Sequence, residues 1–551
     1  MFTPILQQPA IQRRPKELTV SYHRHRYGAI AQNHLLTEES EWAITIAAMK
    51  TESSYKRARP GATIFFPIAA GLLTAQLIAT CFVYTSNQRV LELARAAESA
   101  GYLPLPAGPA MLSLDGWAAA FWGGLFYTLS IGAGATLLTW GILRLCQVLF
   151  RWHWPALIYL AVLWSGLLVF VNMRGLVLFP SLFCLLVPAA TACACVRTRP
   201  LTNDSRHFSW IAPVLTLIAL TALWATQRDP EIFVSIRDNI LLSNAAGRRV
   251  NDFYYRYTLY AAESFKSFNQ KNLHSCNLEL AGDRLSNRKL EIRLAHHDVL
   301  VLQQIKHPDI RVVFAGGKLQ LVSAAGRRME VTAGELWSHP DRVLQSFSDA
   351  TDRFAPLRHM TLVGLFLGFP VLLFVSVYGM LLLPASLAMG PKRAALTVSG
   401  ICLVIGVLLF LPMLNAHPMA VTPQNIDAAL AADTWPPRVA ALRYIARHHL
   451  EIADHPGYRS LLASPLLVER YWVARAMAGS RVEETYSQLL SMIRDPQPNV
   501  VCQAFYALGA MGRRSAIGPI KQRLVELDHW YAQWYAYGAL RKLGWRQNPS
   551  N

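Results

Sequence analysis

Ala507-Leu508-Gly509-Ala510-Met511-Gly512 closes a helical stretch that begins after Asp495-Pro496, and its phrasing returns as Ala539-Leu540-Arg541-Lys542-Leu543-Gly544. Weaker echoes stand at Ala476-Met477-Ala478-Gly479 and around Ile445. The aligned apolar residues Ile445, Met477, Leu508 and Leu540 are 32, 31 and 32 positions apart. A period near thirty filled with helical patterning predicts stacked helix pairs, because one pair cannot bury its apolar face alone. Residues 422–545 hold about four such units.

Upstream of the array the chain is a ladder of apolar runs. Residues 62–84, 117–143, 154–171, 175–196, 208–225, 360–383 and 394–414 are each about long enough to cross a hydrocarbon core of ~30 Å as a helix. A 53% apolar composition over 551 residues points the same way. The fold class is therefore a polytopic α-helical membrane protein of about seven spans, carrying an α+β insert and a C-terminal α-solenoid. Lys and Arg in the short flanks give the orientation. With the N-terminus inside, eleven of them, among them Lys50, Arg57, Arg144, Arg197, Lys392 and Arg393, flank the inner side. Only Arg89, Arg95 and Arg174 flank the outer side. This orders the chain as a cytoplasmic segment 1–61, five spans in 62–226, an outer insert 227–358, two spans in 359–416 and an outer array 417–551. In a bacterium the outer side of the inner membrane is the periplasm.

None of the seven runs has Asp, Glu, Lys, Arg or His in its interior. Ion-coupled carriers keep such residues in the membrane despite their cost, so a pump is disfavoured. Small residues at Ala120/Gly124 and Ser130/Gly134 are spaced for close helix packing within the bundle. The net charge of +19 is spread evenly along the chain rather than gathered on one domain, which argues against nucleic acid as a partner. Six of the eight cysteines lie in or beside apolar runs, and no CxxC occurs. They read as small hydrophobes, with Cys276 and Cys502 alone in the polar regions and expected to stay free thiols.

No signal peptide is expected at the start, and residues 37–57 are expected as an amphipathic helix, either a membrane-surface or partner helix or a lead-in to the first span. In the insert, residues 231–271 read as one helix, dense in aromatics from Phe253 to Phe268. These rings cover most of its circumference, which leaves two placements open: at the lipid headgroups, or clamped between the insert and another domain. Strands are expected over 289–294, 298–302, 310–314, 319–322 and 328–331, with a hairpin turn at Gly316-Gly317. Thr332 with Glu335 makes a capping box, and Pro340 suits the start of the next helix.

The candidate chemical clusters are weak. His296-His297-Asp298 reads as a solvated strand edge whose imidazoles point to opposite faces. His274 and Cys276 would share a strand face, but two ligands do not make a zinc site. His448-His449 ends a helix, where cations suit the dipole. Asp229 and Glu231 read as a helix start. No Walker loop, GxSxG or HExxH is present, and no metal or cofactor is expected.

The phrases Asp495-Pro496…Val500…Ala504…Ala507-Leu508-Gly509…Gly512 and Ala536…Ala539-Leu540…Gly544 resemble HEAT-like repeats of the phycobilisome-lyase type. The first two units depart from the pattern, with Arg447 and Arg481 near the closing glycine. The resemblance covers the last quarter of the chain and implies a protein-binding solenoid. Lyase activity does not carry over, because no catalytic residue matches. An overlay of the last two units puts Ala532, Ala536, Ala539, Leu540 and Leu543 in the core. The same overlay leaves Trp530, Tyr531, Trp534 and Tyr535 outside the shared core, as partner-binding rings or as rings packed on the insert's aromatic helix. The expected function is a non-enzymatic inner-membrane scaffold or complex subunit that binds a protein partner. The alternative is a membrane-embedded enzyme or exporter with the outer domains as regulators.

Overall fold

A computed structural model describes residues 62–150, 154–198, 207–226, 232–279, 284–303, 305–315, 318–414 and 421–548. The expected helix at 37–57, Asp229 with Glu231, and the Gly316-Gly317 turn lie outside them. The described chain is mostly helical, with one small sheet.

Helix α1 (Ala62–Ser99) is followed by α2 (Trp117–Tyr127), which runs through a π-helical turn, Thr128–Gly132, into α3 (Ala133–Phe150). Then come α4 (Trp154–Asn172), α5 (Leu178–Arg197) and α6 (His207–Ala225). Five helices among the described residues are long and apolar enough to cross a membrane: Phe65–Ser99, Trp117–Cys146, Leu178–Arg197, Ala355–Met389 and Pro391–Pro412. Leu157–Asn172 and Ile211–Ala225 are shorter apolar helices. This set is compatible with a multi-pass membrane protein. At 1.5 Å per residue, α1 is about 57 Å long, well beyond a hydrocarbon core. Its last turns run on into the C-terminal core, where Ala97 is fully buried.

The segment between α6 and the next apolar helix breaks where one helix was expected. A short helix, Ile232–Ile236, turns π-helical over Arg237–Leu241 and stops. Asn244 then caps α7 (Ala245–Glu263) by accepting from the Gly247 N–H. The sheet follows: β1 (His274–Glu279), α8 (Arg284–Ala295), β2 (Val299–Val301), β3 (Ile310–Ala315), β4 (Lys318–Ser323) and β5 (Arg328–Val331). Its order is β2-β1-β3-β4-β5, with β1 parallel to both neighbours and the rest antiparallel. The strand expected over 289–294 is a helix instead. Leu290 and Leu294 are both buried, and a spacing of four is one helical turn, so the apparent alternation was half of a 3.6-residue period. The Thr332–Glu335 capping box forms at α9 (Ala333–Ser338), and Pro340 opens α10 (Pro340–Thr351), whose Phe347 packs under the sheet.

The chain returns through α11 (Ala355–Val363), a second π turn, Gly364–Gly368, and α12 (Phe369–Met389), then α13 (Pro391–Leu414). The two π turns pack on each other. A Cβ at Gly364 would lie 2.7 Å from the Ser130 carbonyl, so glycine sets this crossing distance.

The C-terminal stack is α14 (Ile426–Leu430), α15 (Trp435–His448), α16 (Leu467–Ala476), α17 (Glu483–Met492), α18 (Pro498–Met511), α19 (Ile517–Glu526) and α20 (Trp530–Lys542). Helices α15, α16, α18 and α20 lie side by side in that order. Ile445, Met477, Leu508 and Leu540 are each fully buried, as are Ala532, Ala536 and Ala539 on the last helix. At Gly509 a Cβ would come within 2.9 Å of Ala539 Cα, so the small residues of the recurring phrase let the helices meet at backbone distance.

Candidate interaction surface

The rings that stood outside the shared core occupy the first turns of α20. Trp530 is buried, with its ring edge-on to Tyr260 at 5.2 Å, and Tyr531 meets Tyr255 at 4.8 Å. Lys266 Nζ lies 6.0 Å from the Trp534 ring. Nearby, Asn499 donates to Asn251 at 3.2 Å, both fully buried. The aromatic helix α7 packs between the stack and α2, neighbours other than the insert and a second domain, and leaves Val250 and Tyr254 exposed. On the α2 side Ser113 shares a hydrogen bond with the Tyr260 hydroxyl at 2.6 Å, and Trp122 is edge-on to Phe253 at 5.5 Å. Gly123 makes the approach possible, since a Cβ there would sit 2.9 Å from Tyr260 Cβ. Burial pushes the Tyr255 and Tyr531 hydroxyls well above their ordinary range, so both stay neutral.

Two further contacts hold α20 from other directions. The loop after α1 is laid along the stack by two glutamines. Gln533 donates to the Ala107 carbonyl and accepts from its N–H, both at 2.9 Å. Gln547 does the same with Leu103, at 2.8 and 3.1 Å. Both glutamines are buried, so each completes a pairing that a strand neighbour would otherwise supply.

The third contact overturns the reading of His296-His297-Asp298 as a solvated strand edge. The three residues form the turn between α8 and β2, with Asp298 at φ 64°. A left-handed turn aims the carboxylate out of the sheet and into the stack, where the Tyr537 hydroxyl donates to it at 2.5 Å. Arg541 Nε lies 3.0 Å from its other oxygen, and Arg541 Nη2 donates to the His296 carbonyl at 2.8 Å. His297 pairs instead with Asp341, at 2.6 Å. Burial raises the Asp298 carboxyl to about 6, although Tyr537 and Arg541 pull it down.

His274 and Cys276 are both buried on β1, with His274 stacked on Phe268 at 3.8 Å. Burial lowers this imidazole to about 4. Among the described residues no cluster of His, Cys, Asp or Glu could hold a metal. All eight cysteines are free thiols.

Along one flank of the stack runs a ladder of half-buried cations and rings that ends on the exposed Lys542. Arg443 on α15 lies 5.3 Å from the Trp472 ring of α16. Arg475 of α16 covers the Tyr506 ring of α18 at 3.7 Å, and Lys542 of α20 reaches the same ring at 4.4 Å. Arg475 also donates to Gln503 at 3.3 Å. Tyr535, the fourth of the rings, stands beside Trp534 at 5.4 Å with Gln503 as its hydrogen-bond neighbour. Arg443, Arg475 and Tyr506 each stand two residues before the aligned core position of their helix, so the ladder follows from the recurring phrase. Sequence reasoning found Tyr535 but missed the rest, although that shared offset was the available signal. At the α16 end, Trp472 Nε1 donates to the buried Asp238 at 2.7 Å, and Arg237 Nη1 donates to the Tyr471 hydroxyl at 2.6 Å.

Set against family models, curated proteins and solved structures, the chain matches none of them.

Proposed function

We propose that this chain is a non-enzymatic, multi-pass membrane scaffold that holds a protein partner on the open flank of its C-terminal stack. In this reading the stack is a solenoid of HEAT-like units. Residues 227–358 are an insert on the same side, and that side is the periplasmic face of a bacterial inner membrane. The observation that carries it is the division of α20. Trp530 and Tyr531 are covered by α7 and Trp534 by Lys266 just after it, while Gln533 holds the loop at Ala107 and Tyr537 holds the turn at Asp298. A stack tied to α7, to the loop after α1 and to the sheet is a rigid platform, and rigidity lowers the entropy lost on binding. Of the four rings named from sequence, Tyr535 is the one that belongs to the docking flank.

Purification from membranes with and without a chemical crosslinker tests the proposal. A stoichiometric protein partner is the expected result. A co-purifying lipid or small molecule, with no protein partner in either preparation, would favour a membrane-embedded enzyme or exporter.

A further inference from the structure

We infer that the ladder formed by Arg443, Trp472, Arg475, Tyr506, Tyr535 and Lys542 takes an acidic, extended peptide segment of the partner. The inference rests on the scaffold reading and names the chemistry of its ligand. The four side-by-side helices carry seven Lys and Arg residues but a single carboxylate, Glu469. Arg438 already neutralises that carboxylate, at 2.6 Å and almost fully buried. Arg470 pairs with Asp495 and Arg541 with Asp298, both from outside these helices, whereas Arg475 and Lys542 meet no carboxylate among the described residues. Arg475 and Lys542 flank one ring, Tyr506, so their charged groups are within about 8 Å of each other, the sum of their distances to it. Neither makes an ion pair with a carboxylate among the described residues; their neighbours are a neutral ring and the Gln503 amide. Two cations within this distance and without an anion repel each other, and a carboxylate seated at the edge of the ring, within reach of both, would gain a charge-assisted bond from each.

The extent of the ladder selects a peptide over a headgroup. It crosses four helices, and helices pack with axes ~8–10 Å apart, so it spans roughly 25–30 Å. An extended segment of about eight residues covers that length, whereas one lipid headgroup meets one rung. Trp, Tyr and Arg are also the side chains that most often anchor protein partners.

The test uses the full chain in nanodiscs of phosphatidylcholine and a fluorescent twelve-residue peptide rich in Asp and Glu. Its counterpart carries Asn and Gln at the same positions. The acidic peptide is expected to bind at least about tenfold more tightly, since one charge-assisted contact is worth roughly 1.5–3 kcal/mol. Arg475→Gln with Lys542→Gln should remove that advantage. Because Arg475 is half-buried on Tyr506 and Gln503, the exposed Lys542→Gln is also made alone, and it should lower acidic-peptide binding with an unchanged melting temperature. Equal binding of the two peptides, or full binding by the double variant, would overturn the inference. So would attachment to phosphatidylglycerol vesicles that depends on Arg475 and Lys542 while the peptide stays unbound. The two readings fail separately. A double variant that still captures the crosslinked protein leaves the scaffold standing and removes the ladder. Peptide binding without any captured protein removes the scaffold and keeps the ladder's chemistry.

Discussion

Gln533 and Ala107, 426 positions apart in the chain, pair as if they were neighbours in a sheet: the side-chain amide of one meets both backbone groups of the other at 2.9 Å. Gln547 repeats the arrangement with Leu103. Together they fasten the loop after α1 to the end of the stack, and α7 fastens the other side.

Gln533→Leu should break this fastening. Both Ala107 groups would be left buried without partners, at roughly 1–3 kcal/mol each. The expected outcome is a lower melting temperature and faster proteolysis within residues 100–116. A melting temperature equal to that of the parent would mean that the loop is held by its apolar residues alone.

Trp530→Ala should cost about 3–5 kcal/mol, as large-to-small changes in a packed core do. The change should appear as protease sensitivity of α7 and the stack. Capture of a partner by the residual folded protein should persist. Loss of the partner with protease resistance intact would return Trp530 to the docking surface.

Asp298 gives the contact between the sheet and the stack a pH dependence. Its folded value, about 6, lies above the ordinary 3.8, so the bound proton favours the folded contact at low pH and that gain is lost as pH rises through 6. Keeping the charge there costs on the order of 3 kcal/mol. His274 and His529 act in the opposite sense over the same window. Burial lowers each from 6.5 to about 4, and the stability of the neutral imidazole is lost as pH falls through that range. A global melting temperature therefore mixes opposed effects. Hydrogen exchange confined to residues 296–299 and the end of α20 should slow between pH 7.5 and 5.5, after correction for the intrinsic rate. Asp298→Asn, which keeps a residue tolerant of positive φ, should abolish that change.

Cys276 and Cys502 are fully buried, and burial pushes both thiols far above their usual range. Neither should react with iodoacetamide until denaturant is added, with or without prior reduction. A reductant-dependent mass shift on both would show a disulfide.

Much of this was legible in the sequence for local reasons. Ile445, Met477, Leu508 and Leu540 reveal the stack because one period repeats, and each lands in the core. Thr332 with Glu335 and Pro340 mark helix starts through their own backbone chemistry. What stayed hidden depends on distant neighbours. A glutamine facing Ala107 looks like any surface glutamine until the loop arrives. Asp298 reads as solvated because its partners Tyr537 and Arg541 are more than two hundred residues away. The stretch 289–294 misled because Leu290 and Leu294 satisfy both a period of two and a turn of helix.

The central claim is that the partner sits on the ladder and not on the rings that α7 covers. A photo-crosslinking residue placed at Tyr506 and, in a separate variant, at Trp530 tests it in intact membranes. The account predicts a discrete protein adduct from position 506, and from 530 only a crosslink within the chain to α7. A partner adduct from 530 with none from 506 would contradict it.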